Sequence, residues 1–138
     1  MMNPGNDAAM REYQQMNSQG AVEEASPHRL IQLLMERALT KIAVARGHMD
    51  RDAVAEKGEQ ISGAIDIITL LRASLNDKSD RRMAGNFDAL YDYMTRRLVE
   101  ANLSNDVSLL DEVTVLMREL KEAWDAIADQ AETVEAPA

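Results

Sequence analysis

The two histidines of the chain, His28 and His48, are its only imidazoles. A carboxylate-bridged metal pair inside a helical bundle needs a Glu three residues before a His on each of two helices. Ala25 and Ala45 stand at those places. Cysteine is absent, which excludes thiolate ligands and disulfides, so neither a metal nor any other cofactor is expected. The serines and threonines have no evident His and acid partners, and nucleophilic catalysis has no support. There is no Gly-rich phosphate loop. Gly58 and Gly63 fall inside one helical pattern and Gly85 near the start of another. An interior Gly costs about 1 kcal/mol relative to Ala, so each is either a tolerated weak spot or a place where a neighbour approaches closely. Asp66, Asp88, Asp92, Asp111, Glu112 and Asp125 recur at helix-surface spacing and read as a solvated polar face. These residues argue against an enzyme and for a protein that binds.

The formal net charge of −9 narrows the partners. An acidic chain repels phosphate backbones, and the pairs Arg81–Arg82 and Arg96–Arg97 are too short to make a basic face. Nucleic acid is therefore not expected. Residues Met1 to Ala9 are not an apolar run behind a positive segment. No stretch approaches the ~20 apolar residues that span a bilayer. Aromatics make up 4% of the chain while Met numbers 9, so the core must be built from Leu, Ile, Val, Ala and Met. Met also suits surfaces that accept varied apolar partners.

The elements that position these residues are helices. Sustained period-two alternation and hairpin turns are missing, and apolar residues recur at spacings of three and four. Ser26 is a good N-cap with Pro27 at the first helical position. Ile31, Leu34, Ala38, Ile42, Ala45 and Met49 then form one stripe, which frays near Gly47 to Asp50. Asp50 or Asp52 is expected to cap the second helix, where Val54, Ile61, Ile68 and Leu75 repeat every seven residues with Ala64 and Leu71 between them. Met83, Phe87, Leu90, Met94, Leu98 and Ala101 make the third stripe. Leu109, Val113, Leu116, Leu120, Trp124 and Ile127 make the fourth. Polar breaks at Asn76 to Asp80 and Asn102 to Asp106 separate them. Short connections between similar helices predict an all-α fold, an antiparallel up-down four-helix bundle over residues 26–131.

Two flanking segments differ. Residues 132–138 carry no stripe, end in Ala-Pro-Ala and are expected to be disordered. Residues 1–25 contain a short helical pattern, Met10 to Met16, with Met10 and Tyr13 on one face. So short a helix is marginal alone, so it must either dock on the bundle or stay mobile.

Tyr13 and the run Ala25-Ser26-Pro27-His28-Arg29-Leu30-Ile31-Gln32-Leu33-Leu34 resemble the FliS family of flagellar export chaperones. The resemblance continues through Glu59, Ile61 and Ile67-Ile68, then Asn86-Phe87, Leu90-Tyr91 and Tyr93, then Asn105-Asp106, Glu112-Val113 and Ala123-Trp124. The chain departs from the family at Leu34-Met35-Glu36-Arg37-Ala38 and at Phe87, keeping apolar character where the stripes need it.

The resemblance implies a flagellar type III export chaperone. Its client is the C-terminal helical region of flagellin, kept from premature polymerisation in the cytosol and delivered to the cytoplasmic domain of the export gate. The family's N-terminal Tyr region takes part in that delivery, a role that falls on Tyr13 and its neighbour Met10. Client contacts are expected on the second and third helices at Ile65, Ile68, Leu71, Phe87, Leu90, Tyr91 and Met94. Because every bundle helix buries a stripe, the same residues also read as core. The N-terminal segment is expected to cover a client groove in the free protein. A helical regulatory module with a different partner protein is the competing reading.

Overall fold

The computed structural model describes residues 8–12, 26–75 and 81–135, and the side chains of all of these except 81–84 and 128–135. Among the described residues, four long helices run in antiparallel order: α1 over Pro27–Asp50, α2 over Val54–Ala73, α3 over Arg81–Ser104 and α4 over Val107–Glu135. Ser26 starts α1 from an extended conformation, its hydroxyl accepting the Arg29 N–H at 3.1 Å. Pro27 follows where its missing N–H costs nothing.

The α1–α2 connection departs from expectation. Asp52 does not cap α2; it closes α1. At φ 57° it adopts the left-handed conformation, while the Ala53 N–H reaches back to the His48 carbonyl at 2.9 Å and the Asp52 N–H to Met49 at 3.2 Å. This is the Schellman pattern that satisfies the last carbonyls of a helix, and Asp tolerates the conformation better than most residues. Asp50 is the last residue of α1, and α2 begins after Ala53 without a side-chain cap.

Asn105, at φ 55°, repeats the device at the end of α3, with the Asp106 N–H bonded to the Ala101 carbonyl at 3.2 Å. Asp106 then starts α4, its carboxylate accepting the Ser108 N–H at 2.9 Å. That bond, with the Ser108 hydroxyl, holds the Asp106 carboxyl below its ordinary range. α4 continues to Glu135, into the segment expected to be unstructured. Nothing from Ala131 to Glu135 breaks a helix, whereas Pro137 disfavours helical geometry at the residue before it.

Each helix packs on two neighbours, α1 on α2 and α4, and α3 on α2 and α4. The four stripes supply the core. Leu34, Ala38, Ile42 and Ala45 of α1 are buried against Ile61, Ala64, Ile68 and Leu71 of α2 and their counterparts on α3 and α4. Met35, Ile67, Tyr91, Leu110 and Met117, beside the stripes, are also fully buried. Each such Leu or Ile contributes about 1.5–3 kcal/mol, and this term dominates the fold. Contact is most extensive between α1 and α2. A Cβ on Gly63 would lie 2.9 Å from Lys41 Cδ, so Gly63 answers a close approach. Gly58 and Gly85 meet no such crowding.

Polar ties fix the register at the other seams. Gln32 donates to Asp125 at 2.6 Å and Arg46 to Asp111 at 2.8 Å, joining α1 to α4. Arg72 pairs with Asp88 at 2.5 Å and Asp92 at 3.3 Å, joining α2 to α3. Arg97 and the Tyr93 hydroxyl both donate to Glu112, joining α3 to α4. Most of the acidic residues expected on a solvated face therefore tie neighbouring helices.

Candidate functional site

The α2–α3 seam is built around a buried lysine. The heptad pattern places Val54 in the core, but Val54 opens α2 at the end of the bundle and is 67% exposed. Lys57, one turn on, is only 4% exposed. Its ammonium donates to the Asn102 carbonyl and to Asn105 Oδ1, both at 3.0 Å. The charge thus meets the free carbonyl end of α3, where a cation is favoured. Deeper in the seam, a Cβ on Gly58 would meet Asn102 Oδ1 at 3.9 Å, and Arg72 meets Asp88. The steps from Gly58 to Arg72 and from Asp88 to Asn102 are equal, so the antiparallel register places Ile65 opposite Thr95.

The seven residues expected to touch a client separate by burial. Ile68, Leu71, Tyr91 and Met94 are fully buried and Phe87 is 8% exposed. Burial pushes the Tyr91 hydroxyl well above its ordinary pKa. Ile65 and Leu90 are partly buried, packed on the core from outside. Leu90 shares the α4 side of α3 with Tyr93 and Arg97, whereas the surface beside Ile65 carries apolar side chains that stripe counting passes over. Leu103 is 82% exposed and Val99 45%. They lie one turn apart, and Val99 lies two turns from Asp92, on the flank of α3 that reaches α2. With Val54 they form an apolar rim along the upper half of the α2–α3 seam. Their signal in the sequence is an i, i+4 apolar pair off the main stripe of α3. At the lower end the seam turns charged, and the Arg72 guanidinium holds the Asp88 carboxyl below its ordinary range.

An aromatic cluster closes the opposite end of the bundle. His28 stacks on Trp124 with centroids 4.6 Å apart, and Phe87 lies 6.4 Å from Trp124. The Trp124 indole N–H donates to the His28 carbonyl at 3.1 Å, tying the start of α1 to α4. The stacked His28 ring has a buried Nε2 without a hydrogen-bond partner.

Residues 8–12 are helical and lie against α1 and α2, beside a hollow whose lining runs from Lys41 and Gly63 to Gly58. Ala9 is buried at 2% exposure, whereas Met10 is 50% exposed. The docked face is thus made by Ala9 and Glu12 rather than by Met10. Glu12 takes Arg37 Nε at 2.6 Å and Lys41 Nζ at 3.2 Å. Tyr13 lies outside the described residues. Among the described residues, no group of His, Asp and Glu could hold a metal ion, and no helix is long and apolar enough to cross a membrane.

Comparison with known proteins agrees with this architecture. The family model for the flagellar protein FliS matches residues 9–131. The chain is 52% identical over 120 residues to the flagellar secretion chaperone FliSB of Pseudomonas aeruginosa, covering 87% of this chain and 95% of that protein. It is 39% identical over 125 residues to the flagellar secretion chaperone FliS of Salmonella typhimurium, covering 90% and 93%. With FliS of Vibrio cholerae it shares 34% identity over 119 residues, covering 86% and 88%. The chain belongs to the FliS family of flagellar secretion chaperones.

Proposed function

We propose that the protein holds the C-terminal helical region of flagellin in the cytosol, keeps it from polymerising and delivers it to the flagellar export gate. The observation that carries this reading is the apolar rim of Val54, Val99 and Leu103 beside Ile65. A helix that must be kept from its own assembly partners needs an apolar surface in their place, and an amphipathic helix laid in an apolar groove supplies such contact. Ile65 makes direct contact in this groove and Leu90 on the α4 side of α3, while Ile68, Leu71, Phe87, Tyr91 and Met94 form the packed floor that sets the shape of the surface. Met10, exposed on the N-terminal stretch, and Tyr13 dock to the gate.

Calorimetry with a flagellin C-terminal peptide tests the reading. Leu103→Asp replaces a side chain that is 82% exposed in the free protein, so the fold should melt unchanged. Burial of one Leu in a complex is worth about 1.5–3 kcal/mol, so binding should weaken at least about tenfold. No binding by the unaltered chain refutes the function; full binding by Leu103→Asp refutes the groove.

A further inference from the structure

The two glycines of α2 stand in different surroundings. A Cβ on Gly63 would lie 2.9 Å from Lys41 Cδ, so the packing of α1 on α2 accounts for that residue. Gly58 has no such reason within the fold. Among the described residues, a Cβ there would meet only Asn102 Oδ1, at 3.9 Å, which is ordinary van der Waals contact. Gly58 lies inside α2 with a helical backbone that any L residue adopts. A glycine in a helix interior weakens the helix relative to Ala. Gly58 is therefore a cost that the packing of this chain does not require.

Its place in the fold gives the cost a purpose. Gly58 follows Val54 by one turn and precedes Ile65 by two, so the three lie along one line of α2. Across the seam stands Asn102, next in sequence to Leu103 and three residues after Val99. Gly58 is thus a notch within the apolar rim, with Val54 and Ile65 along α2 and Val99 and Leu103 on α3. It also lines the hollow beside residues 8–12, so open space lies over it. Helices pack by setting the side chains of one into the gaps between side chains of the other, and the gap over a glycine is deeper by a Cβ.

We propose that Gly58 is the notch in which one large apolar side chain of the client helix seats, a Leu, Met or Phe, and that this contact fixes where the client lies along the α2–α3 groove. The inference rests on the flagellin reading of that groove and adds the residue that sets its register.

The test uses the full-length protein and a flagellin C-terminal peptide. Gly58→Ala should raise the thermal melting midpoint, because Ala favours the helix and its Cβ has room. The same change should weaken peptide binding in calorimetry about fivefold or more, the effect of an extra carbon in a filled contact. Gly58→Met, which occupies the notch, should weaken it further. Replacing the apolar peptide positions by Ala one at a time should reveal one position at which the Gly58→Ala effect largely disappears, since residues in contact couple and distant ones do not. If the unaltered chain does not bind the peptide, the flagellin reading fails and the notch with it. If the unaltered chain binds and Gly58→Ala binds equally well, or no peptide position couples to Gly58, the notch is refuted and the flagellin reading stands. A melting midpoint of Gly58→Ala lower than that of the unaltered chain would place the need for glycine inside the fold and also overturn the proposal.

Discussion

Asn105 carries two separable contributions, and substitutions there tell them apart. Its backbone sits at φ 55°, where most L residues are strained, at about 1–2 kcal/mol. Its side-chain oxygen accepts a hydrogen bond from the buried Lys57 ammonium at 3.0 Å, and bonds to charged groups contribute about 1.5–3 kcal/mol. Gly accepts the backbone conformation but loses the bond, so Asn105→Gly should cost about 1.5–3 kcal/mol. Ala loses the bond and adds the strain, so Asn105→Ala should cost about 1–2 kcal/mol more. Asp keeps both contributions and gives Lys57 a carboxylate, against about 0.3–1 kcal/mol for an acid at a helix C-terminus. Asn105→Asp should therefore match the unaltered chain or exceed it. Urea unfolding followed by far-UV circular dichroism and by Trp124 fluorescence measures the series, and the midpoints can be compared directly if the slopes agree. Equal midpoints for the Gly and Ala variants would refute the backbone argument. A Gly variant as stable as the original would refute the role given to Lys57.

Further outcomes follow from the same contacts. Ser26→Ala removes the hydroxyl that caps α1 and should cost about 1 kcal/mol, read as a lowered urea midpoint with an unchanged slope. Asp88, Asp106, Glu112 and Asp125 all have carboxyls held below their ordinary values by bonded donors. A depressed folded pKa gives stability that is present above the unfolded value, about 4, and lost as pH falls through the folded values. The urea midpoint should stay level from neutral pH down to that value and fall below it; a steep loss well above it contradicts these assignments. Asp66 has the opposite sign: its raised carboxyl opposes folding when charged, and protonation relieves it. Asp66→Asn should therefore increase hydrogen-exchange protection of residues 8–12 at neutral pH, and unchanged protection would contradict the placement of Glu12 beside it.

The bundle was legible because each helix needs one apolar stripe and little else. Ser26-Pro27 marked the first boundary, and most central positions of the four stripes are buried, Leu90 and Leu116 only partly. Legibility failed where a residue's place in three dimensions, rather than its periodicity, decides the outcome. Val54 continues the heptad of α2 but emerges beyond the end of the bundle, while Lys57 is buried because α3 ends beside it. Asp52 has the composition of an N-cap, yet two backbone bonds to the preceding helix claim it. The expected client residues were drawn from the stripes, and stripes are what a bundle buries; the exposed Val99 and Leu103 lie off them. The seat of residues 8–12 depends on Glu12 meeting cations more than twenty positions away, a pairing that no local pattern announces.

Binding to intact flagellin, compared with flagellin lacking its C-terminal helical region, tests the central claim most directly. The account predicts a stable complex of the full-length chain with monomeric flagellin, delayed filament growth in its presence, and loss of both when the C-terminal region is removed. Equal binding to the two forms of flagellin, or filament growth unaffected by the protein, would contradict it.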